Sequence, residues 1–346
     1  MRFRDALLIL LSALIMTLTT SCGSPKQTAK PTITGDGGKI TVATDTVFSE
    51  SFVDPMHGWV VLGQEAPPTA DGGNTTDRIR VLATTDGGNT WSQASTLEGE
   101  SGDIGFVSAK QGWLMTGTKG LAFFDFTGDG LKSTDDGGKT WYDESIPQES
   151  GISVSQAQFV DAEHGWLLGT YKSNHNVIVW STADGGKTWS RMNVSAQIKV
   201  APASCYLSFI SPEQGWLVIG SQPGAGGQPK YLYRTLDGGR HWTEVAHDVD
   251  GDFSSPENGM PVTGYVVGLD FLNCRVGWLT NARGFVCLTT DGGYTWKTLG
   301  QYSDLSDSGL QHPDFLDVEH GFAISSDILM ATSDGGVTWR QVNVGA

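Results

Sequence analysis

One turn motif returns six times in this chain, and it constrains the fold more than any other feature. The pattern is Thr-x-Asp-Gly-Gly-x-Thr/His-Trp. Its copies run Thr84 to Trp91, Thr134 to Trp141, Thr182 to Trp189, Thr235 to Trp242, Thr289 to Trp296 and Thr332 to Trp339. The aspartates Asp86, Asp136, Asp184, Asp237, Asp291 and Asp334 follow one another at intervals of 50, 48, 53, 54 and 43 residues. Self-similarity at such a period marks a repeat architecture, in which each unit is one supersecondary element stacked on the next.

A second element alternates with the first: an apolar stretch, a short polar turn, then Gly-Trp or Gly-Phe. The aromatic ends are Trp59, Trp113, Trp166, Trp216, Trp278 and Phe322. Each unit therefore reads as strand A, tight turn, strand B, loop, strand C, Asp-Gly-Gly turn and strand D. Four antiparallel strands in roughly fifty residues make a propeller blade. The expected fold is all-β: one β-propeller of six four-stranded blades over 39–346, with A innermost and D outermost. Thr34-Gly35-Asp36-Gly37-Gly38 and Asp71-Gly72-Gly73 resemble further boxes but lack the Trp. Residues 39–43 are expected to form a strand that zips onto the last blade. Seven blades is the alternative.

The turn has a physical basis. Asp-Gly between β-prone stretches favours a hairpin. The carboxylate can accept bonds from nearby backbone N–H groups, and glycine supplies positive φ without a Cβ clash. A residue repeated in every unit is structural first, so these six aspartates are read as turn residues. His57, His164 and His320 share one turn position on separate blades. A local hydrogen bond explains them better than a shared metal.

Glycine is abundant, at 46 of 346 residues, and there are 12 tryptophans. Both suit many short strands and turns. The net charge of −16 repels phosphate backbones, so nucleic acid is a poor partner. Arg2 and Arg4 precede a short apolar run, Ala6 to Leu18, that ends at Leu18-Thr19-Thr20-Ser21-Cys22. That run is short for a membrane span and reads as an export signal over 1–21. Residues 22–38 read as a polar, Pro-containing tether. The later cysteines, Cys205, Cys274 and Cys287, form no Cys-x-x-Cys pair and are odd in number. They support neither a zinc site nor a disulfide framework.

The boxes resemble the Asp-box, or bacterial neuraminidase repeat, over 47–343. The alternation of HGW turns with DGGxTW boxes is most similar to the photosystem II stability and assembly factor group. That resemblance implies a propeller and leaves the activity open, because Asp-boxes occur in proteins of unrelated roles. The leader resembles a bacterial lipoprotein signal, which implies lipid attachment at Cys22 and a membrane-anchored location outside the cytoplasm. Plain secretion is the alternative, since Thr19 stands where that signal usually has Leu.

The expected function is a non-catalytic extracytoplasmic scaffold that binds a protein or glycan, of assembly or stability-factor type. No catalytic residue and no cofactor is assigned. The alternative is a secreted glycoside hydrolase of sialidase-like type, which would need three arginines gripping a carboxylate. The candidates are Arg78, Arg80, Arg191, Arg234, Arg240, Arg275, Arg283 and Arg340, four of them in or beside the boxes. Asp248, Asp250 and Asp252 alternate as Ca²⁺ loops do, and Asp125 to Gly130 is a second such stretch. The first has Phe253 and Gly259 at the sixth and twelfth positions in place of Gly and Glu, and the twelfth residue of the second, Asp136, is already a box aspartate. The A–B and C–D turns should share one face of the disc. The B–C and D–A loops, long at 63–79, 220–230 and 246–263, should form the other, where binding residues tend to sit. Tyr171 and His175 are the candidates on that loop face.

Overall fold

The computed structural model describes residues 46–64, 78–99, 101–119, 126–147, 149–173, 176–192, 202–222, 227–248, 264–302 and 309–345, with the single positions Val194, Gln197, Ile198, Val200 and Met260. Residues 39–43, Cys22, His175, Asp250 and Asp252 lie outside them. So do most of the two longest loops and the middle of 220–230.

Among the described residues, twenty-four strands form six four-stranded units, each laid down in chain order. The first unit is β1 (Thr46–Phe52), β2 (Gly58–Gln64), β3 (Arg78–Thr84) and β4 (Ser92–Glu98). The second is β5 (Ser101–Phe106), β6 (Gly112–Lys119), β7 (Phe126–Thr134) and β8 (Tyr142–Glu144). The third is β9 (Ile152–Phe159), β10 (Gly165–Tyr171), β11 (Val177–Thr182) and β12 (Ser190–Met192). The fourth is β13 (Pro202–Phe209), β14 (Gly215–Ser221), β15 (Lys230–Thr235) and β16 (Thr243–Asp248). The fifth is β17 (Val266–Phe271), β18 (Gly277–Asn281), β19 (Phe285–Thr289) and β20 (Lys297–Gln301). The sixth is β21 (Gln311–Phe315), β22 (Gly321–Ser325), β23 (Ile328–Thr332) and β24 (Arg340–Gln341).

The first strands of the six units, β1, β5, β9, β13, β17 and β21, meet one another around a circle, and β21 meets β1. They are the inner wall of a propeller, as the motif order implies. The second strands are almost wholly buried: Trp166, Leu167 and Leu168 on β10, and Trp216 to Ile219 on β14, are at most 2% exposed. The fourth strands are the least buried, as an outer edge should be, and β8, β12 and β24 have only two or three residues.

Neighbouring blades are joined by one aromatic device. The Phe that ends each inner strand lies flat on the Gly-Trp ring of the preceding blade. The pairs are Trp59–Phe106, Trp113–Phe159, Trp166–Phe209, Trp216–Phe271 and Trp278–Phe315, with centroids 3.6–3.8 Å apart. Phe52 closes the circle on Phe322 at 3.6 Å. The box Trp of the same blade meets the edge of each Phe at about 6 Å. Such pairs add about 0.5–1.5 kcal/mol beyond their buried area. The motif glycine makes room for the Phe: a Cβ on Gly165 would sit 2.4 Å from the Phe159 ring.

One departure from six separate sheets occurs. Gly128 on β7 pairs with Val154 on β9, which merges the second and third units into one eight-stranded sheet.

Candidate functional site

The A–B turn and the Asp-box of each blade are hydrogen-bonded to each other. Gly87 N–H donates to Met56 O, Gly137 to Lys110, Gly185 to Glu163, Gly238 to Glu213, Gly292 to Arg275 and Gly335 to Glu319, at 2.8–3.0 Å. Both turns therefore share one face of the disc. The strand ends from which the B–C and D–A connections leave lie on the opposite face. The first box glycine can be nothing larger: Gly185 has φ +78, and a Cβ there would stand 2.8 Å from Ala162 O.

Within the third box, Asp184 Oδ1 accepts from Thr188 N–H at 2.9 Å and from the Thr182 hydroxyl at 2.7 Å. Its Oδ2 accepts from the Thr188 hydroxyl at 2.6 Å. The bonds from Thr188 are the main reason this carboxyl lies at about 2, and Thr140 does the same for Asp136. Asp86, Asp237, Asp291 and Asp334 hold the same geometry, with His241 in place of Thr on Asp237. An acid so engaged is a poor proton donor or nucleophile.

The first Thr of the box does the buried work, which the sequence pattern did not reveal. Its hydroxyl accepts the N–H of the second glycine: Thr84 from Gly88, Thr134 from Gly138, Thr182 from Gly186, Thr235 from Gly239, Thr289 from Gly293 and Thr332 from Gly336. These threonines are at most 5% exposed. The turn histidines also act locally, through Nδ1 bonds to Asp54, Asp161 and Asp317 at 2.9–3.0 Å.

The inner wall holds a second feature missed in the sequence. The residue before each inner Phe reaches across to the main chain of the next blade. Ser51 Oγ accepts from Phe106 N–H, Gln158 Oε1 from Phe209, Ser208 Oγ from Phe271, Asp270 Oδ2 from Phe315 and Asp314 Oδ2 from Phe52, at 2.8–2.9 Å. Gly105 holds this position in the second blade, and a Cβ there would meet open space. That interface is the one bridged by Gly128 and Val154. A polar residue before Phe in five of six repeats was the available signal.

Four acids thus line one arc of the wall: Asp270, Asp314, Glu50 and Asp103, on the fifth, sixth, first and second blades. Burial, then the charge of Asp314, pushes Asp270 up to about 8. Burial also raises Asp103, against the opposing pull of His312 and a bond from the Ser49 hydroxyl at 2.9 Å. Glu50 is raised well above the usual range by burial and by Asp314 and Asp103.

The remaining sequence candidates are dispersed. Tyr171 is half-buried at the end of β10. Its hydroxyl accepts from Arg191 at 2.8 Å and approaches Glu149 at 3.4 Å. Asp248 ends β16, paired with Lys230. Among the described residues, no three His, Cys, Asp or Glu side chains are grouped to hold a metal ion. The arginines sit on third and fourth strands (Arg78, Arg80, Arg191, Arg234, Arg340) or in turns (Arg240, Arg275, Arg283). The strand arginines are separated from the axis by two strands (Arg78, Arg80, Arg234) or three (Arg191, Arg340).

The family model of the photosynthesis system II assembly factor YCF48 matches residues 95–253. The photosystem II assembly lipoprotein Ycf48 of Synechococcus sp. (strain CC9902) is 25% identical over 166 residues, which are 46% of this chain and 42% of that protein. This chain is a BNR-type propeller related to the photosystem II assembly factor. The matched part spans less than half of that curated relative. Among solved structures, YCF48 bound to D1 peptide is similar at TM-score 0.48 and 19% identity, covering 86% of this chain and 82% of that one. NanB with Optactamide is similar at TM-score 0.50 and 10% identity, covering 87% of this chain and 67% of that one. At that identity the likeness concerns the fold alone. The BNR propeller described here keeps its box carboxylates for its own turns.

Proposed function

We propose that this chain is a non-catalytic scaffold outside the cytoplasm, of assembly or stability-factor type, that binds a protein partner. The observation that carries this reading is the use of the repeated acids. All six box aspartates are spent on their own turns, so the residues free to act are those that differ between repeats. The relation to the assembly factor over 95–253 supports the same reading. The sialidase-like alternative needs arginines converging on one pocket, and the strand arginines here stand on outer strands of four blades.

Two docking faces are open to test. The loop face, with Tyr171 and His175, is the expectation from loop variability. The turn face is favoured by a specific observation. Met56, Leu236, Tyr294, Val318 and Val337 are 46–57% exposed, and all stand on it, in the first, fourth, fifth and sixth blades. The full chain should capture a protein from envelope extracts. Replacing Leu236, Tyr294 and Val337 by Ser should abolish capture if the turn face docks. Shortening 220–230 and 246–263 should abolish it if the loop face does. Capture unaffected by both changes, or of no protein at all, would overturn the reading. A glycan array is the parallel test for a glycan partner.

Anchoring at Cys22 is part of the same proposal, supported by the leader pattern. A palmitate analogue should label the wild type and not Cys22→Ser. Equal labelling would leave plain secretion.

A further inference from the structure

The six blade interfaces follow one plan, and the interface between the sixth and first blades departs from it in three ways. The first concerns the flat aromatic. In five blades it is Trp, and its indole N–H donates to the first box glycine of the next blade. Trp59 bonds Gly137 O, Trp113 Gly185 O, Trp166 Gly238 O, Trp216 Gly292 O and Trp278 Gly335 O, at 2.9–3.0 Å. The sixth blade has Phe322, which packs on Phe52 with the same geometry but has no N–H to give.

The second departure is Trp91, the box Trp of the first blade. It is buried in the cluster that fills this interface, and its indole N–H has no hydrogen-bond partner. Its counterparts Trp141, Trp242, Trp296 and Trp339 each bond the carbonyl of their own second box glycine.

The third departure is Glu50. It lies two residues before Phe52, so it shares that side chain's face of the strand. The equivalent residues before Phe106, Phe209 and Phe271 are Ile104, Leu207 and Leu269, all buried, and those before Phe159 and Phe315 are the uncharged Ala157 and Pro313. Glu50 thus holds an aliphatic core position. It is 5% exposed, and both carboxyl oxygens are buried without a hydrogen-bond partner. A carboxylate cannot stay ionised there without large cost.

The groups around it are also acidic. Asp314 on β21 faces it across the interface, where its own Oδ2 holds Phe52 N–H. Asp103 faces it from β5. The charge of Asp314 also acts on Asp270, and that of His312 on Asp103. His312 is the basic group that acts on this cluster among the described residues. It is exposed, and its backbone is left-handed at φ 48.

We propose that the interface between the sixth and first blades is a pH-sensitive latch, closed while Glu50 carries a proton and loosened when Glu50 ionises beside Asp314 and Asp103. The ring would then open first at this point, around the Val47 N–H bond to Asp327 O at 3.1 Å and the Phe52 N–H bond to Asp314. The reaction is a single proton transfer from the Glu50 carboxyl to water, with no other reactant.

Hydrogen exchange of the full chain at several pH values, corrected for intrinsic exchange, tests this. The segments read are 46–53 and 321–332 at the latch, and 154–160 and 205–210 at the interface of the third and fourth blades. One linked proton makes the opening constant rise by about tenfold per pH unit across the window between the open-state and closed-state titrations. Beyond the fall that the loss of the Asp270 proton brings to every segment, latch protection should therefore drop by up to about tenfold per unit as pH rises from about 5, and the control segments should not share that further drop. Glu50→Ile, the residue type of the second blade, should flatten the latch response, and so should Glu50→Gln. Phe322→Trp should raise latch protection at every pH and leave the slope. An unchanged slope in the Glu50 variant that folds, or an equal slope at both interfaces in the wild type, would overturn the proposal.

Discussion

Replacing Asp270 by Asn should make the protein less sensitive to alkaline pH, by an amount the structure sets. Asp270 Oδ2 accepts from Phe315 N–H at 2.8 Å, so one oxygen has a structural task that an amide oxygen can also perform. The charge has no such task. Burial and Asp314 push the carboxyl from 3.8 to about 8, a rise of roughly four units at about 1.4 kcal/mol each. The folded chain keeps this proton in a range where the unfolded chain has lost it. Stability from this group is therefore complete below about pH 4, falls as pH rises from about 4 to about 8, and is flat above. The whole loss is about 5 kcal/mol. Asp270→Asn keeps the acceptor and removes the titration. Urea unfolding followed by tryptophan fluorescence at pH 4.5, 6, 7.5 and 9 should show the variant close to wild type at the acid end and several kcal/mol more stable at pH 9. Asp270→Ala should lose about 1–3 kcal/mol at every pH through the unpaired Phe315 N–H. Parallel curves for wild type and Asp270→Asn would refute the assignment of this proton.

Thr182→Val keeps the side-chain volume but leaves the buried Gly186 N–H without its acceptor. It should cost about 1–3 kcal/mol, more than Thr188→Val, whose hydroxyl works in solvent; chemical denaturation compares the two. Phe322→Trp should raise the melting temperature by restoring an indole bond towards Gly87 O, worth about 0.5–1.5 kcal/mol. A lower melting temperature would mean that the pocket does not admit the larger ring. Asp136 and Asp184, both at about 2, are depressed, so their stability is present above about pH 4 and lost as pH falls towards 2. The melting temperature of Asp136→Asn/Asp184→Asn should therefore depend less on pH between 2 and 4 than that of the wild type.

The strand order, the shared face of the two turns and the inner position of strand A were legible because they follow from local chemistry. Asp-Gly-Gly can only turn, and Gly-Trp after a polar turn can only start a strand that packs. The role of Thr182 was hidden because the pattern shows the type of residue and not which atom is buried. The wall contacts of Gln158, Ser208, Asp270 and Asp314 were visible as a polar residue before Phe, but their meaning depends on the next blade, about fifty residues on. The merger of the second and third sheets at Gly128 depends on how a nine-residue strand bends, which no motif encodes. The identity of the partner was not legible at all, since a ring built by repetition says nothing about its ligand.

In a repeat protein the consensus builds the scaffold, and the exceptions mark what each interface does differently. Three exceptions stand out here. Gly105 breaks the polar rule before Phe, and its interface is the one that borrows a backbone pair from β7. Phe322 breaks the Trp rule, and its interface is the one with no indole donor across it. Glu50 breaks the aliphatic rule at a core position. The last two fall on the same interface, where the sixth blade meets the first. Closing that gap joins residues 262 apart, as in the Phe52–Asp314 bond. It is the longest loop in the fold, so its closure costs the most entropy. A designer seeking stability would place the strongest contacts there. This chain instead leaves an indole N–H unpaired and an acid buried at its point of closure. A ring so built is closed by the protonation of a few carboxyls as well as by packing, so the pH of its compartment is part of its fold.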